Sequence, residues 1–144
     1  VSAALLDVSV LVALLWPSHS SHLSAQAWFA RHARHGWATC PITQAGFVRI
    51  LSVPLFSPDA YTPAAATRLL QMNLEHPDHQ FWPDDVSLFD SLAHIDTRLQ
   101  GHKQITDAYL LGLTLHHKGR FITADRSLTA MLPKGAPSNS LVVI

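Results

Sequence analysis

Short runs with strand character recur along this chain, at residues 3–6, 37–40, 79–82, 120–123 and 141–144, and longer stretches with helical spacing separate them. Two strands joined by a helix are not hairpin partners. They return in parallel register, because a parallel pair needs a crossover of about a dozen residues or more. A chain built this way is confined to the α/β class, with a mainly parallel sheet covered on both faces.

The helical segments carry their own punctuation. Residues 8–16 repeat apolar side chains at helical spacing until Pro17 stops them, and a second helix is expected over residues 22–35 with Trp28 and Phe29 inward and Gly36 as its stop. Thr43 reads as the N-cap of a helix through Leu51, with Pro54 and Pro58 marking the loop behind it. Thr62-Pro63 opens a helix to about Leu74, in the pattern of a cap followed by proline at the first helical position. Residues 87–95 are expected to be helical, 101–104 a loop, 106–117 a helix ended by Gly119, and 127–131 a short helix. No repeat or linker interrupts the series, so residues 1–144 are expected to form one domain.

Composition narrows the function classes. The 144 residues are 48% apolar and 14% charged, with formal net charge zero, so no global basic field advertises a polyanion and any such partner must be held locally. The single cysteine, Cys40, excludes an internal disulfide and thiolate-rich zinc sites, and it reads as a small core residue. His19/His22 and His32/His35 have ligand-like spacing but no acidic or thiolate neighbour, which argues against zinc. No run approaches the roughly 20 apolar residues that a membrane span needs, and the expected location is cytoplasmic.

Against only ten acidic residues in total, the placement of three matters. Asp7 follows the run 4–6, Asp125 follows 121–124, and Asp107 opens a helix. Each alone has a structural explanation as a cap or a dipole partner. Open parallel sheets, however, bind ligands beyond the carboxyl ends of their strands, so the three can share one pocket. Gathered carboxylates repel unless a divalent cation neutralises them, and an all-oxygen donor set selects Mg²⁺ or Mn²⁺. Such an ion supports hydrolysis of phosphodiesters.

At this level the segments 5–11, 42–51, 81–85, 105–110 (Ile-Thr-Asp-Ala-Tyr-Leu) and 121–128 (Phe-Ile-Thr-Ala-Asp-Arg-Ser-Leu) resemble those of the PIN-domain nucleases, and more narrowly of VapC-type toxins of type II toxin-antitoxin pairs. The resemblance runs in order through nearly the whole chain. It implies a three-layer α/β/α sandwich, a Mg²⁺- or Mn²⁺-dependent endoribonuclease, a homodimer, and a cognate antitoxin that blocks the active site. Carried over by position, Asp7, Asp107 and Asp125 are the metal-binding acids, and Ser9, Thr106 and Thr123 supply supporting hydroxyls. Where the family has a further acid this chain has Gln44, whose amide oxygen can ligate a cation but adds no charge. Losing one charge near 4 Å removes about 4 kcal/mol of raw attraction at an effective dielectric of 20, so weaker metal affinity is expected.

Arg49, His102, Lys103 and Arg126 lie beside pocket elements and are the expected RNA contacts. Two rival readings follow from the same residues: a catalytically weak or inactive module acting through antitoxin binding and transcriptional autoregulation, and a PIN nuclease of RNA processing. No glycine-rich phosphate loop is present to support another phosphate chemistry. Leu11, Leu14, Trp16, Leu51, Leu55 and Phe56 exceed what a small core needs and are candidates for a dimer or antitoxin surface.

Overall fold

The computed structural model describes residues 2–54, 60–95, 99 and 101–144. Five strands, β1 (Ala4–Leu6), β2 (Trp37–Thr39), β3 (His79–Phe81), β4 (Arg120–Thr123) and β5 (Leu141–Val143), form one sheet in the order β3-β2-β1-β4-β5. Every neighbouring pair is parallel, as the intervening helices require. The chain runs outward from β1 through β2 to β3, then crosses back to β4 on the other side of β1. The strand order therefore reverses between β1 and β4.

Period-2 alternation within each strand divides the core into two layers. Ala4, Leu6, Trp37 and Ile122 face α1 (Val8–Leu15), α2 (His22–His32), α3 (Pro41–Leu51) and α4 (Pro63–Asn73), with Leu11, Phe47, Leu51 and Leu70 packed beneath them. Leu5, Ala38, Phe121 and Leu141 face the other way, against α5 (Leu88–Ala93), α6 (Ile105–His116) and the 3-10 turn Arg126–Met131. This is the expected three-layer α/β/α sandwich with short parallel strands. Leu11 and Leu51 are buried in it, so neither is free for a partner; Leu14 and Trp16 are half-buried against the same layer. Leu55, Phe56 and Pro58 lie outside the described residues. Cys40 is buried with a free thiol, as expected of a core residue.

Local chemistry explains where the boundaries moved. The third helix begins at Pro41, two residues before Thr43, because proline at the first helical position sacrifices no hydrogen bond. Cys40 is the N-cap, and Thr43 completes the turn from the third helical position by accepting the Cys40 N–H at 3.0 Å. The helix ending at His116 is stopped by Lys118 in a left-handed conformation (φ 55°), not by Gly119. Gly119 is small for another reason: an added Cβ would sit 2.5 Å or more from Trp82 and 2.8 Å from the Ala3 carbonyl. Residues 102–104, expected as loop, form a 3-10 turn that leads into α6. Among the described residues no helix is long and apolar enough to cross a membrane.

Candidate active site

The carboxyl ends of β1 and β4 meet where the strand order reverses, the position that an open sheet leaves for a ligand. Asp7 leaves β1 and caps α1. Its Oδ1 accepts the Val8 N–H at 2.8 Å, and its Oδ2 accepts the Thr123 hydroxyl at 2.7 Å across the two strands. Thr123 Oγ1 also accepts the Asp125 N–H at 3.1 Å, so one buried hydroxyl ties both acids to the same strand end. Ser9 Oγ accepts the Ala124 N–H at 3.4 Å from the facing turn. Ser9 and Thr123 thus both hydrogen-bond within this strand end.

Asp125 caps the following 3-10 turn, the structural role that its place before Ser127 had suggested. Its Oδ1 accepts both the Ser127 N–H at 3.0 Å and the Ser127 hydroxyl at 2.7 Å. The Asp-x-Ser spacing was the available signal, since Asp favours turns that bond the backbone two residues on.

Asp107 comes from another layer, the first turn of α6, and reaches the same place. Its carboxyl is pushed up to about 6, first by burial and then by the charges of Asp7 and Asp125. Asp7 is also held above the usual carboxylate range. Burial is the main cause, Asp125 adds to it, and the hydrogen bonds from Thr123, Val8 and Ser9 only partly offset the two. The charge of Asp125 thus bears on Asp7, and both bear on Asp107, so the three carboxylates share one local field.

Among the described residues no three acidic, histidine or cysteine side chains already stand as a closed metal cage. Enclosing an ion requires the trio to draw in. The donor chemistry still fits a hard divalent cation: three carboxylates, two of them visibly disfavoured as anions, with hydroxyls rather than cations behind them. Among the described residues the one ion pair is His117 with Asp85, so neither lysine nor arginine neutralises the trio.

Gln44 is anchored through its amide nitrogen. Its Nε2 donates to Thr39 Oγ1 at 3.0 Å, and Thr39 Oγ1 in turn lies 2.8 Å from His79 Nε2. The amide is committed to the end of β2 and its neighbour β3, a Thr39–His79 link that no local sequence signal announces. Arg49 and Thr106 line one shallow cleft with Ile42, Ala45 and Gly46, between α3 and the start of α6. His102 and Lys103 are exposed on the 3-10 turn before α6, and Arg126 is exposed beside Asp125. Thr106 is exposed in the first turn of α6 and is one residue from Asp107.

The chain matches the family model described as the PIN domain over residues 4–131. It is 43% identical over 141 residues to Ribonuclease VapC44 of Mycobacterium tuberculosis, covering 98% of this chain and 99% of that protein. Ribonuclease VapC39 of the same organism is 43% identical over 125 residues, 87% of this chain and 90% of its own. Among solved structures, VapBC2 from Rickettsia felis bound to a DNA fragment from its promoter superposes with a TM-score of 0.66 at 10% identity, over 99% of this chain and 97% of that one, which is a likeness of fold. With a five-stranded parallel sheet, acids at its switch point and this extent of identity, the chain belongs to the PIN-domain family, in its VapC group.

Proposed function

We propose that this protein is an endoribonuclease that hydrolyses RNA phosphodiesters with Mg²⁺ or Mn²⁺, the toxin of a type II toxin-antitoxin pair whose cognate antitoxin inhibits it. The observation that carries this reading is the mutual repulsion of Asp7, Asp107 and Asp125 at the switch point, with Asp107 at about 6. Such a trio is unfavourable without a cation and suited to one with it. The similarity to the VapC ribonucleases supports the substrate class, and the fold shared with VapBC2 supports the antitoxin partner.

Asp7, Asp107 and Asp125 would hold the ion. Bound there, it would activate water and offset the charge that develops on phosphorus. The chain's own residues prepare that site. Thr123 fixes Asp7 from one side while the Val8 N–H fixes it from the other, so its carboxylate plane is set before any ligand arrives. Ser127 holds one oxygen of Asp125 and leaves the second for coordination. Asp107 carries the freest carboxylate of the three, and a bound ion would favour its ionised form. Arg49, His102, Lys103 and Arg126 would meet backbone phosphates around this edge.

The direct test is cleavage of a structured RNA by the purified protein with Mg²⁺, with Mn²⁺ and with chelator. Cleavage with either ion, lost in chelator and in Asp7→Asn, is the expected result. Equal background in all lanes would instead favour a non-catalytic module that works through antitoxin binding.

Position 44 gives a second measurable outcome. The amide at Gln44 leaves the site one negative charge short of the family pattern. Gln44→Glu should tighten Mn²⁺ binding by about tenfold in calorimetry, because desolvation offsets most of the roughly 4 kcal/mol of added attraction. An unchanged affinity would mean that position 44 does not bear on the ion.

A further inference from the structure

Three of the chain's ten lysines and arginines, with two histidines, meet at the amino-terminal edge of the sheet, the edge opposite the acids. Arg31 and His32 close α2, and Arg34 and His35 lie on the 3-10 turn that feeds directly into β2. Arg120 opens β4 from below. The charges of Arg120, His35, Arg31 and Arg34 all bear on His32 and, behind its burial, hold its pKa below the usual value. Among the described residues no carboxylate pairs with them. Among the described residues the one ion pair lies elsewhere, and the Arg34 Nε–H donates to His35 Nε2 rather than to an acid.

Arg120 is the least ordinary member. It is only 7% exposed, its Nε–H donates to the Ser2 carbonyl at 3.1 Å, and its Nη2 is buried with no partner among the described residues. A helix carboxyl end attracts cations such as Arg31 through its dipole, but that effect fades within one turn and does not explain a buried arginine on a strand. Buried donors without partners are rare because each forfeits its hydration. The cluster is therefore charged, uncompensated and one acceptor short.

We propose that this edge docks the phosphate backbone of the RNA substrate, so that a long RNA is held at Arg31 and Arg34, over the buried charge of Arg120, while it is cut at the opposite edge. The inference rests on the ribonuclease reading. Guanidinium forks match phosphate oxygens in paired hydrogen bonds, and phosphate supplies the acceptors that the exposed Arg31 and Arg34 lack, while the buried Arg120 adds its positive charge behind them. The five steps from Arg120 to Asp125 span roughly 17 Å at the strand rise, so several nucleotides separate the two edges. A short oligonucleotide fills the acidic edge alone. A long one reaches both.

The test compares RNAs of about 30 and about 6 nucleotides by fluorescence anisotropy in chelator, where nothing is cleaved, for the wild type and Arg31→Glu/Arg34→Glu. Each lost phosphate contact on a single strand removes about 0.7 from the salt slope, so the slope for the long RNA should fall by about 1.4 and its Kd should weaken about tenfold or more. The short RNA should bind as before, and its cleavage with Mn²⁺ should be unchanged. The milder Arg31→Gln/Arg34→Gln pair should show the same pattern at smaller amplitude, with an unchanged melting temperature, which separates docking from folding.

Unchanged Kd and slope on the long RNA overturn the proposal, as does an equal loss on the short one. A polyglutamate that binds the wild type as tightly as RNA and is lost in the same variant would assign the edge to an acidic protein partner instead. If the wild type cleaves neither RNA with either ion, the ribonuclease reading fails, whereas length-dependent binding that the arginine variants remove would still stand as a property of this edge.

Discussion

Asp107→Asn is expected to abolish RNA cleavage and, in the same protein, to raise its stability when no divalent ion is present. Loss of one carboxylate from an ion's ligand set removes several kcal/mol of transition-state stabilisation, a fall in rate of about a hundredfold or more. The opposite sign on stability comes from the raised pKa. Asp107 titrates near 6 in the folded chain against an ordinary value of 3.8, so the folded state holds its proton more tightly than the unfolded one. The stabilisation from that proton is full below about pH 4 and is lost as pH rises through 6.

At pH 7 the ionised Asp107 is therefore a net cost to the metal-free fold. Two pKa units correspond to about 3 kcal/mol, and solvent screening of a half-buried group reduces that to about 1–2 kcal/mol. In chelator at pH 7 the asparagine variant should melt roughly 3 to 6 °C above the wild type. That gap should close below pH 4 and shrink when Mn²⁺ is added, because the ion removes the repulsion by another route. Calorimetric scans across pH, with and without metal, read all three conditions. Equal melting temperatures throughout would mean that Asp107 feels no such repulsion.

Gly112→Ala should be the most destabilising small substitution in the molecule. Gly112 lies on α6 where α5 crosses, and an added Cβ would fall well inside contact with the carbonyl oxygen and the hydroxyl of Ser91, and 2.7 Å from its carbonyl carbon. Ser91 is fully buried and its hydroxyl donates to the Tyr109 carbonyl at 2.8 Å, so neither helix has room to yield without breaking that bond. Overpacking of this kind, with loss of a buried hydrogen bond, costs about 3 kcal/mol or more. Urea titration should show a lower midpoint with an unchanged slope. An unshifted midpoint would contradict the close approach of α5 and α6. The substitution improves intrinsic helix propensity by about 1 kcal/mol, so a loss isolates the tertiary contact.

The order and type of the elements were legible in the chain because both are local properties. Thr62-Pro63 predicts an N-cap and first turn, and the Thr62 hydroxyl oxygen does accept the Ala65 N–H at 3.1 Å. Residues 120–123 read as a strand and are one, to the residue. Misjudged details were those in which two local signals compete. Pro41 and Thr43 each start a helix, and proline's fixed φ prevailed with Cys40 as the cap. Lys118 and Gly119 each end one. Lys118 took the left-handed turn, while Gly119 was required by the closeness of Trp82.

The site divides along the same line. That Asp7 and Asp125 follow strands was readable, since each ends an apolar run, and a parallel sheet sends all such ends to one edge. That burial and the neighbouring charges raise Asp7 and push Asp107 to about 6 was not, because the effect depends on burial and on separations set by three different layers. Gln44 illustrates the limit. Its place in the chain suggested a ligand position for its amide oxygen, while the bond from its amide nitrogen to Thr39 beside His79 is made only once β2 and β3 are paired.

The sequence by itself determined the α/β class, the alternation of strands and helices, and the three acids at element ends, because periodicity, capping and turn chemistry act over a few neighbouring residues. The tertiary structure alone decided the strand order with its reversal between β1 and β4, the shared field of the acids, the bare arginine cluster at the far edge and the contact of Gly112 with Ser91. Those arise from packing between residues distant in the chain, where charge, burial and van der Waals contact are properties of the assembled layers.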